Sequence, residues 1–447
     1  MNSTSPNEDQ PLLPQINASR FGEPHFLSKL LATSFNYFIT GIIVTALGAL
    51  IPSIESYHGI SDSQIAAIFP CTVAGYLCST LSIQYVHFRL GRLGVGYVSS
   101  ILRLIALVLL SAGPSFSFCL LAFAILGFGT GLTDSGWSAW AANLKNPNIV
   151  QGPLHGAFGV GCILGPVIAV ALIDRRYSWY DIYRIVAVLV IIELIGHIWA
   201  FWECTAQQYQ EILHDDRSKN VDSSSEEAIS SAPVYSSDAN VQGGEDYQQS
   251  NECQTTHTSV ASNPFRYRGT WMCAAFFFIY VSIEFTYSDW IVVYMRRARD
   301  TPYTTAGLAS SIFWLGMSIG RIALAPVSEH FGVKCSVMVY LSLSAFFQIF
   351  FKLAQKPTLS LCVLGFNGLM LGPTFPSGLV LLSRSVPQHA QVGAVAVAAA
   401  AGQIGAATIP YGIGFMAEAI GIGRLLDVVL ALTFTLLTTW FAYCRLC

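Results

Sequence analysis

Residues Gly127–Pro166 read GFGTGLTDSGWSAWAANLKNPNIVQGPLHGAFGVGCILGP. Two long apolar runs flank a short polar hinge, Asn143 to Asn148, yet the runs themselves contain Asp134 and His155. Runs of this length suit the interior of a bilayer, where a carboxylate costs about 2.5–3.5 kcal/mol on insertion scales. A residue kept there against that cost marks a candidate functional site.

Working outward, the chain of 447 residues is 53% hydrophobic and only 11% charged, less than half the charge of an ordinary water-soluble domain. About twelve apolar runs reach the ~20 residues that a spanning helix needs. They lie near 29–54, 63–86, 94–113, 116–143, 150–173, 180–202, 268–295, 304–326, 334–354, 358–384, 390–418 and 424–444. Barrel strands would alternate over about ten residues, so these continuous runs read as helices. The expected fold class is therefore an all-α integral membrane protein of twelve transmembrane helices in two six-helix halves.

The halves, 29–202 and 266–447, are separated by 203–265, rich in Ser, Glu, Asp, Gln and Asn. Such a segment cannot bury a core and is expected to be a disordered linker. Residues 1–28 read the same way. They contain Glu8-Asp9-Gln10-Pro11-Leu12-Leu13, which resembles an acidic dileucine signal for a sorting adaptor. A vacuolar or endosomal membrane then stands beside the plasma membrane as the expected location. Lys and Arg fall almost equally on the two sides, so the even span count places both tails and the linker in the cytoplasm. The outer residues Arg175, Arg176, Arg296, Arg297 and Arg299 are expected to pair locally with Asp174, Asp181 and Asp300.

A net charge of −3 gives no nucleic-acid signal, and the eleven cysteines form no CxxC. No phosphate loop, HExxH or cysteine–histidine cluster suggests a metal or cofactor. A Ser/His/Asp hydrolase is disfavoured because GxSxG is absent around Ser135. Asp134 and Ser135 would also point about 100° apart on a helix.

The chemistry sits on a few stripes. In span four, Thr130, Asp134, Trp137 and Ser138 follow helical spacing. A carboxylate beside an indole suits a polyol, the acid accepting hydroxyl hydrogen bonds and the ring covering C–H faces. Span five supplies His155, which titrates in the physiological range and can relay protons. Span seven carries Tyr280, Glu284 and Tyr287 on one stripe, with Asp289 nearer the outer end. A mid-span carboxylate that can be neutral or charged is what proton coupling needs. Asn36 and Thr40 in span one, Asn367 in span ten and Gln403 in span eleven add uncharged contacts. Proton coupling is thus expected at Asp134, Glu284 and His155. Solute contacts are expected at Asn36, Thr40, Trp137, Tyr280, Tyr287, Asn367 and Gln403. Arg321 reads as a lock between helices, and Arg103 with Glu193 as a buried ion pair outside the site.

The run Gly-x-Gly-x-Gly-Leu-x-Asp134-Ser-Gly-Trp137, then Asn143, Asn148 and Leu154-His155-Gly156, resembles the fucose permease-like branch of the major facilitator superfamily in its fungal form. Tyr280-Val281-x-x-Glu284 with Asp289-Trp290-Ile291 is similar to the same group. So are Phe313-Trp314-x-Gly316-x-x-x-Gly320-Arg321 and Leu371-Gly372-Pro373-x-Phe375-Pro376. The resemblance covers most of 30–445 outside the linker. It implies a proton-coupled sugar carrier working by alternating access, with Asp134, His155 and Glu284 at the family's polar positions. Bacterial sugar symporters of that branch also carry a carboxylate in their first span. Here that span has only Asn36 at depth and Glu55 at its end, so the proton falls to Asp134 or Glu284.

Two other readings stay open. Gly161-xxx-Gly165-Pro166 partly matches the motif of drug:proton antiporters, although Ala169 and Val170 replace its glycines; that would make the chain an efflux carrier of amphiphiles. A non-transporting receptor or adaptor signalling through 203–265 is the second.

Overall fold

The computed structural model describes residues 25–142, 144, 147–207 and 264–446. The sorting-type motif Glu8–Leu13, the core of the linker and Asn143 of the hinge lie outside the described residues. Among the described residues there is no strand, and twelve helices are long and apolar enough to cross a membrane. They are α1 Phe26–His58, α2 Asp62–Ile83, α3 Tyr85–Ser111, α4 Phe116–Ala141, α5 Val150–Asp174 and α6 Asp181–Phe201. The second six are α7 Arg268–Arg297, α8 Tyr303–Ala323, α9 Val333–Leu353, α10 Pro357–Ser385, α11 Gly393–Ile420 and α12 Ile422–Leu446. The long apolar runs form helices because hydrocarbon offers the backbone no other partners.

The two sets of six follow one packing plan, and the glycines show it. Apolar side chains gain little by leaving lipid for each other, so membrane helices associate through close backbone approach at small residues. A Cβ added at Gly161 of α5 would lie 2.0 Å from the Phe38 carbonyl oxygen of α1, and one at Gly41 would lie 2.2 Å from that of Phe158. In the second half Gly405 of α11 meets the Phe278 carbonyl of α7 in the same way, at 2.2 Å. Likewise Gly75 and Gly127 join α2 to α4, at 1.9 and 2.0 Å, while Gly316 and Gly320 join α8 to α10, at 2.0 and 2.1 Å.

The third pairing, α3 with α6 and α9 with α12, uses polar groups. Arg103 and Glu193 form the expected ion pair, at 3.0 Å with neither side chain exposed. Asn36 Nδ2 and Ser100 Oγ also donate to Glu193 Oε1, at 2.8 and 3.0 Å. Ser100 Oγ in turn lies 3.3 Å from His197 Nδ1. The counterpart in the second half is neutral. Gln348 of α9 bonds Thr433 of α12 at 2.8 Å and Ser344 at 3.2 Å, and Ser344 donates to Asn367 of α10 at 2.7 Å. One architecture thus carries a charged network in one half and an uncharged one in the other.

The halves meet at the end remote from the termini. Gly48 of α1 abuts the Ser288 and Asp289 backbone of α7, and Gly414 of α11 abuts the Asp62 backbone. Asp289, nearer the outer end of α7, is buried. Arg297 closes this outer face. It donates to Asp62 at 2.6 Å and to Glu55, joining α7 to α1 and α2. The local pairing expected from sequence therefore fails for Arg297, whose acids are more than 230 positions away in the chain. Arg299 also turns from Asp300, to the Phe351 carbonyl at 2.5 Å and that of Ala354. Among the described residues Asp181 has a local partner, Arg184 at 2.5 Å, a basic residue outside the expected set. At the opposite end, a Cβ at Gly152 or Gly156 of α5 would meet nothing within 4 Å. The first turns of α5 are thus unpacked at the end of the termini, while the outer end is closed.

Arg297→Gln is expected to loosen the outer closure. In a cysteine-depleted background, labelling from the outer side of Ala417→Cys, buried beside Arg297 and Glu55, should rise several-fold, and unchanged labelling would show that Arg297 does not hold the gate.

Candidate functional site

Asp134 stands on α4 where Gly127 and Gly131 draw that helix against α2. That approach brings Tyr76 of α2 within hydrogen-bond reach of Asp134 Oδ2. Tyr37 of α1 donates to Oδ1 at 2.9 Å and lies 3.1 Å from Ser138 Oγ. Each carboxylate oxygen therefore holds one tyrosine hydroxyl, which gives a charged group at membrane depth the hydrogen bonds it needs. Tyr76 carries no expectation from the sequence; a lone tyrosine directly after Gly75, at a helix contact, is the signal that could have found it.

His155 of α5 crosses the Tyr37 ring edge-on, with ring centroids 5.7 Å apart. It is exposed beside the open Gly152–Gly156 surface. Both Asp134 and Arg321 lie within its electrostatic reach. Arg321 of α8 donates through Nη2 to Glu284 Oε1 of α7 at 3.0 Å. Its side chain is 23% exposed, against 7% for Glu284. Arg321 is therefore a lock between helices, as expected, and its partner is the acid expected to couple protons. Above this group, Phe158 and Trp314 meet edge-to-face at 5.9 Å, sealing α5 against α8 toward the outer plug.

Asp134, His155, Arg321 and Glu284 thus gather as ionisable groups from both halves, Arg321 and Glu284 in direct contact and His155 within electrostatic reach of Arg321 and Asp134. The expected proton-coupling residues all belong to it. The expected solute contacts fare differently. Trp137 is fully buried, with its ring stacked 4.7 Å from Phe201 and 5.0 Å from His197 of α6. It lies three positions after Asp134, which turns it about 60° off that residue's face. Asn36 is committed to Glu193. Tyr280 donates to the Leu371 carbonyl at 3.3 Å inside the second half. Tyr287 packs on Phe313 with centroids 4.9 Å apart, and Asn367 belongs to the α9–α10 network. All five are buried in this structure. Thr40 and Gln403 remain partly exposed, and the Thr40 hydroxyl returns to the Asn36 carbonyl at 2.9 Å. Among the described residues no group of three or more His, Cys, Asp or Glu could hold a metal ion.

A sequence model of the Major Facilitator Superfamily matches residues 33–410 and 272–445. Bypass of stop codon protein 6 of Saccharomyces cerevisiae is 25% identical over 406 residues, covering 88% of this chain and 78% of that protein. The glucose/mannose transporter GlcP of Bacillus subtilis is 22% identical over 394 residues, covering 85% of each. Among solved structures, a bacterial homolog of the human lysosomal transporter Spinster, inward-facing and unoccupied, has the same fold. Its TM-score is 0.67 at 12% identity, over 95% of this chain and 98% of that one.

Proposed function

The chain belongs to the Major Facilitator Superfamily, and from that premise we propose that it is a proton-coupled carrier of a small polar solute of the sugar class. It is a multi-pass membrane transporter and not an enzyme. The observation that carries the proposal is the gathering of Asp134, His155, Arg321 and Glu284 from α4, α5, α8 and α7, next to the unpacked first turns of α5 at Gly152 and Gly156. Carriers of this kind bind at mid-membrane and rock their halves around a fixed site. Groups that gain and lose protons at such a site tie that motion to proton movement. A relative described as a glucose/mannose transporter supports the sugar class, as does the resemblance of the Asp134 and Glu284 helices to the fucose permease-like branch. The termini and linker would face the cytoplasm, which puts the closed end on the outer side. A plasma, vacuolar or endosomal membrane suits it, with Glu8–Leu13 read by a sorting adaptor.

The test is uptake of labelled hexoses and their acid derivatives into proteoliposomes carrying an imposed pH gradient. Accumulation that collapses with a protonophore is expected for at least one of them. A folded protein that moves none of them would overturn the proposal in favour of amphiphile efflux or signalling. Deleting 215–258 separates the signalling reading, because a carrier should keep its uptake without the linker.

A further inference from the structure

Both carboxylates of the site already accept hydrogen bonds, while one of its charged donors is unused. Asp134 has a tyrosine hydroxyl on each oxygen, and Glu284 is held by Arg321. Arg321 Nε, by contrast, is buried without a partner, and His155 stands within electrostatic reach of that guanidinium. A neutral sugar offers hydroxyls, whose hydrogen bonds are about half as strong as charge-assisted ones. Hydroxyls alone do not displace a carboxylate from a guanidinium. Another carboxylate does, because it matches the planar guanidinium fork with two parallel bonds.

We propose that the transported solute is a polyhydroxylated monocarboxylate, a sugar acid, whose carboxylate replaces Glu284 on Arg321. The proposal rests on the carrier reading above and narrows its solute class. In the exchange the solute carboxylate takes the Arg321 N–H donors. Glu284, left in a site with little water and no counter-ion, takes up one proton from the side of the termini, since a buried carboxylate without a partner favours its neutral form. One anion and one proton enter together, so the charge of the site is unchanged. The titratable and charged groups facing Glu284 are Tyr280 on its own helix, Arg321 on α8 and Cys162 on α5, with His155 within reach of Arg321 and Asp134 of α4 beyond it.

Two consequences separate this from transport of a neutral sugar. A neutral solute moving with a proton carries one positive charge, whereas the sugar acid moves electroneutrally. Its binding also consumes a proton, so affinity rises as pH falls, by about tenfold per pH unit where the linkage is complete.

The experiment uses the full chain in proteoliposomes with labelled D-glucuronate and D-glucose. A pH gradient and a potassium–valinomycin potential are imposed separately. Glucuronate accumulation under the pH gradient, indifferent to the potential, is the expected result. Arg321→Gln should lower it at least tenfold, and Arg321→Lys should restore part of it. In case the single variant misfolds, thermal stabilisation of the wild type by glucuronate should grow from pH 7.5 to pH 5.5. Glucose accumulation without glucuronate uptake or competition would overturn the proposal and leave the carrier reading standing, as would glucuronate uptake that follows the potential. If a monodisperse wild type moves neither these two nor any other hexose or hexose acid, both readings fail.

Discussion

Replacing Glu193 with glutamine is expected to destabilise the folded protein by about 3–5 kcal/mol, because it strands a buried cation. Arg103 and Glu193 are both fully buried, and Glu193 Oε1 also receives Asn36 and Ser100. One carboxylate thus ties α1, α3 and α6 together. An amide in its place carries no charge to balance the buried Arg103 guanidinium and weakens the hold on Asn36 of α1. The melting temperature in detergent and the monodisperse fraction report the loss. Replacing both members of the pair by apolar residues of similar volume should recover most of it, since well-packed apolar groups often match a buried ion pair. A Glu193→Gln protein as stable as wild type would show that the network does not support the first half.

Gly161→Leu is expected to have an effect at least as large, through sterics rather than charge. The added Cβ would stand 2.0 Å from the Phe38 carbonyl oxygen and 3.0 Å from the Ile42 nitrogen. Both are helix backbone and cannot rotate aside. The α1–α5 crossing would have to open along its length, a cost of roughly 3 kcal/mol or more, beyond ordinary overpacking. The same crossing holds Tyr37 beside His155, so any protein that does fold should have lost gradient-driven uptake as well. Leucine at Gly152, where an added Cβ meets nothing within 4 Å, is the control that should leave folding intact. Size-exclusion profiles of the two variants decide the matter, and equal monodispersity would contradict the close crossing.

The sequence made the spans legible because an apolar run of twenty residues has one stable solution in hydrocarbon. It made Asp134, His155 and Glu284 legible for the opposite reason, as costly exceptions in those runs. The Arg103–Glu193 pair was readable because two opposite charges at similar depth need each other. What the sequence does not encode locally is the rotation of each helix and the partner it meets. Trp137 was read onto the face of Asp134, yet its offset of three residues was enough to turn it to α6. Asn36 and Tyr37 are adjacent in the chain but serve different acids, Glu193 and Asp134. Tyr76 reaches Asp134 from another helix, 58 positions away. Arg297 has Asp300 close by in sequence but pairs across the halves with Glu55 and Asp62. Periodicity gives the face of one helix, and the structure adds which neighbour covers it.

Both acids of the site hold partners that a change of protonation would release, Tyr37 and Tyr76 on Asp134 and Arg321 on Glu284. Coupling should therefore be separable from solute movement. The most direct measurement compares wild type, Asp134→Asn and Glu284→Gln in proteoliposomes, using labelled glucose or glucuronate, whichever the wild type moves. Accumulation against an imposed pH gradient is measured beside solute exchange at equal pH. Loss of accumulation in at least one variant, with exchange retained, is the expected result and identifies the acid that carries the proton. Accumulation at the wild-type level in both variants would contradict proton coupling at this site.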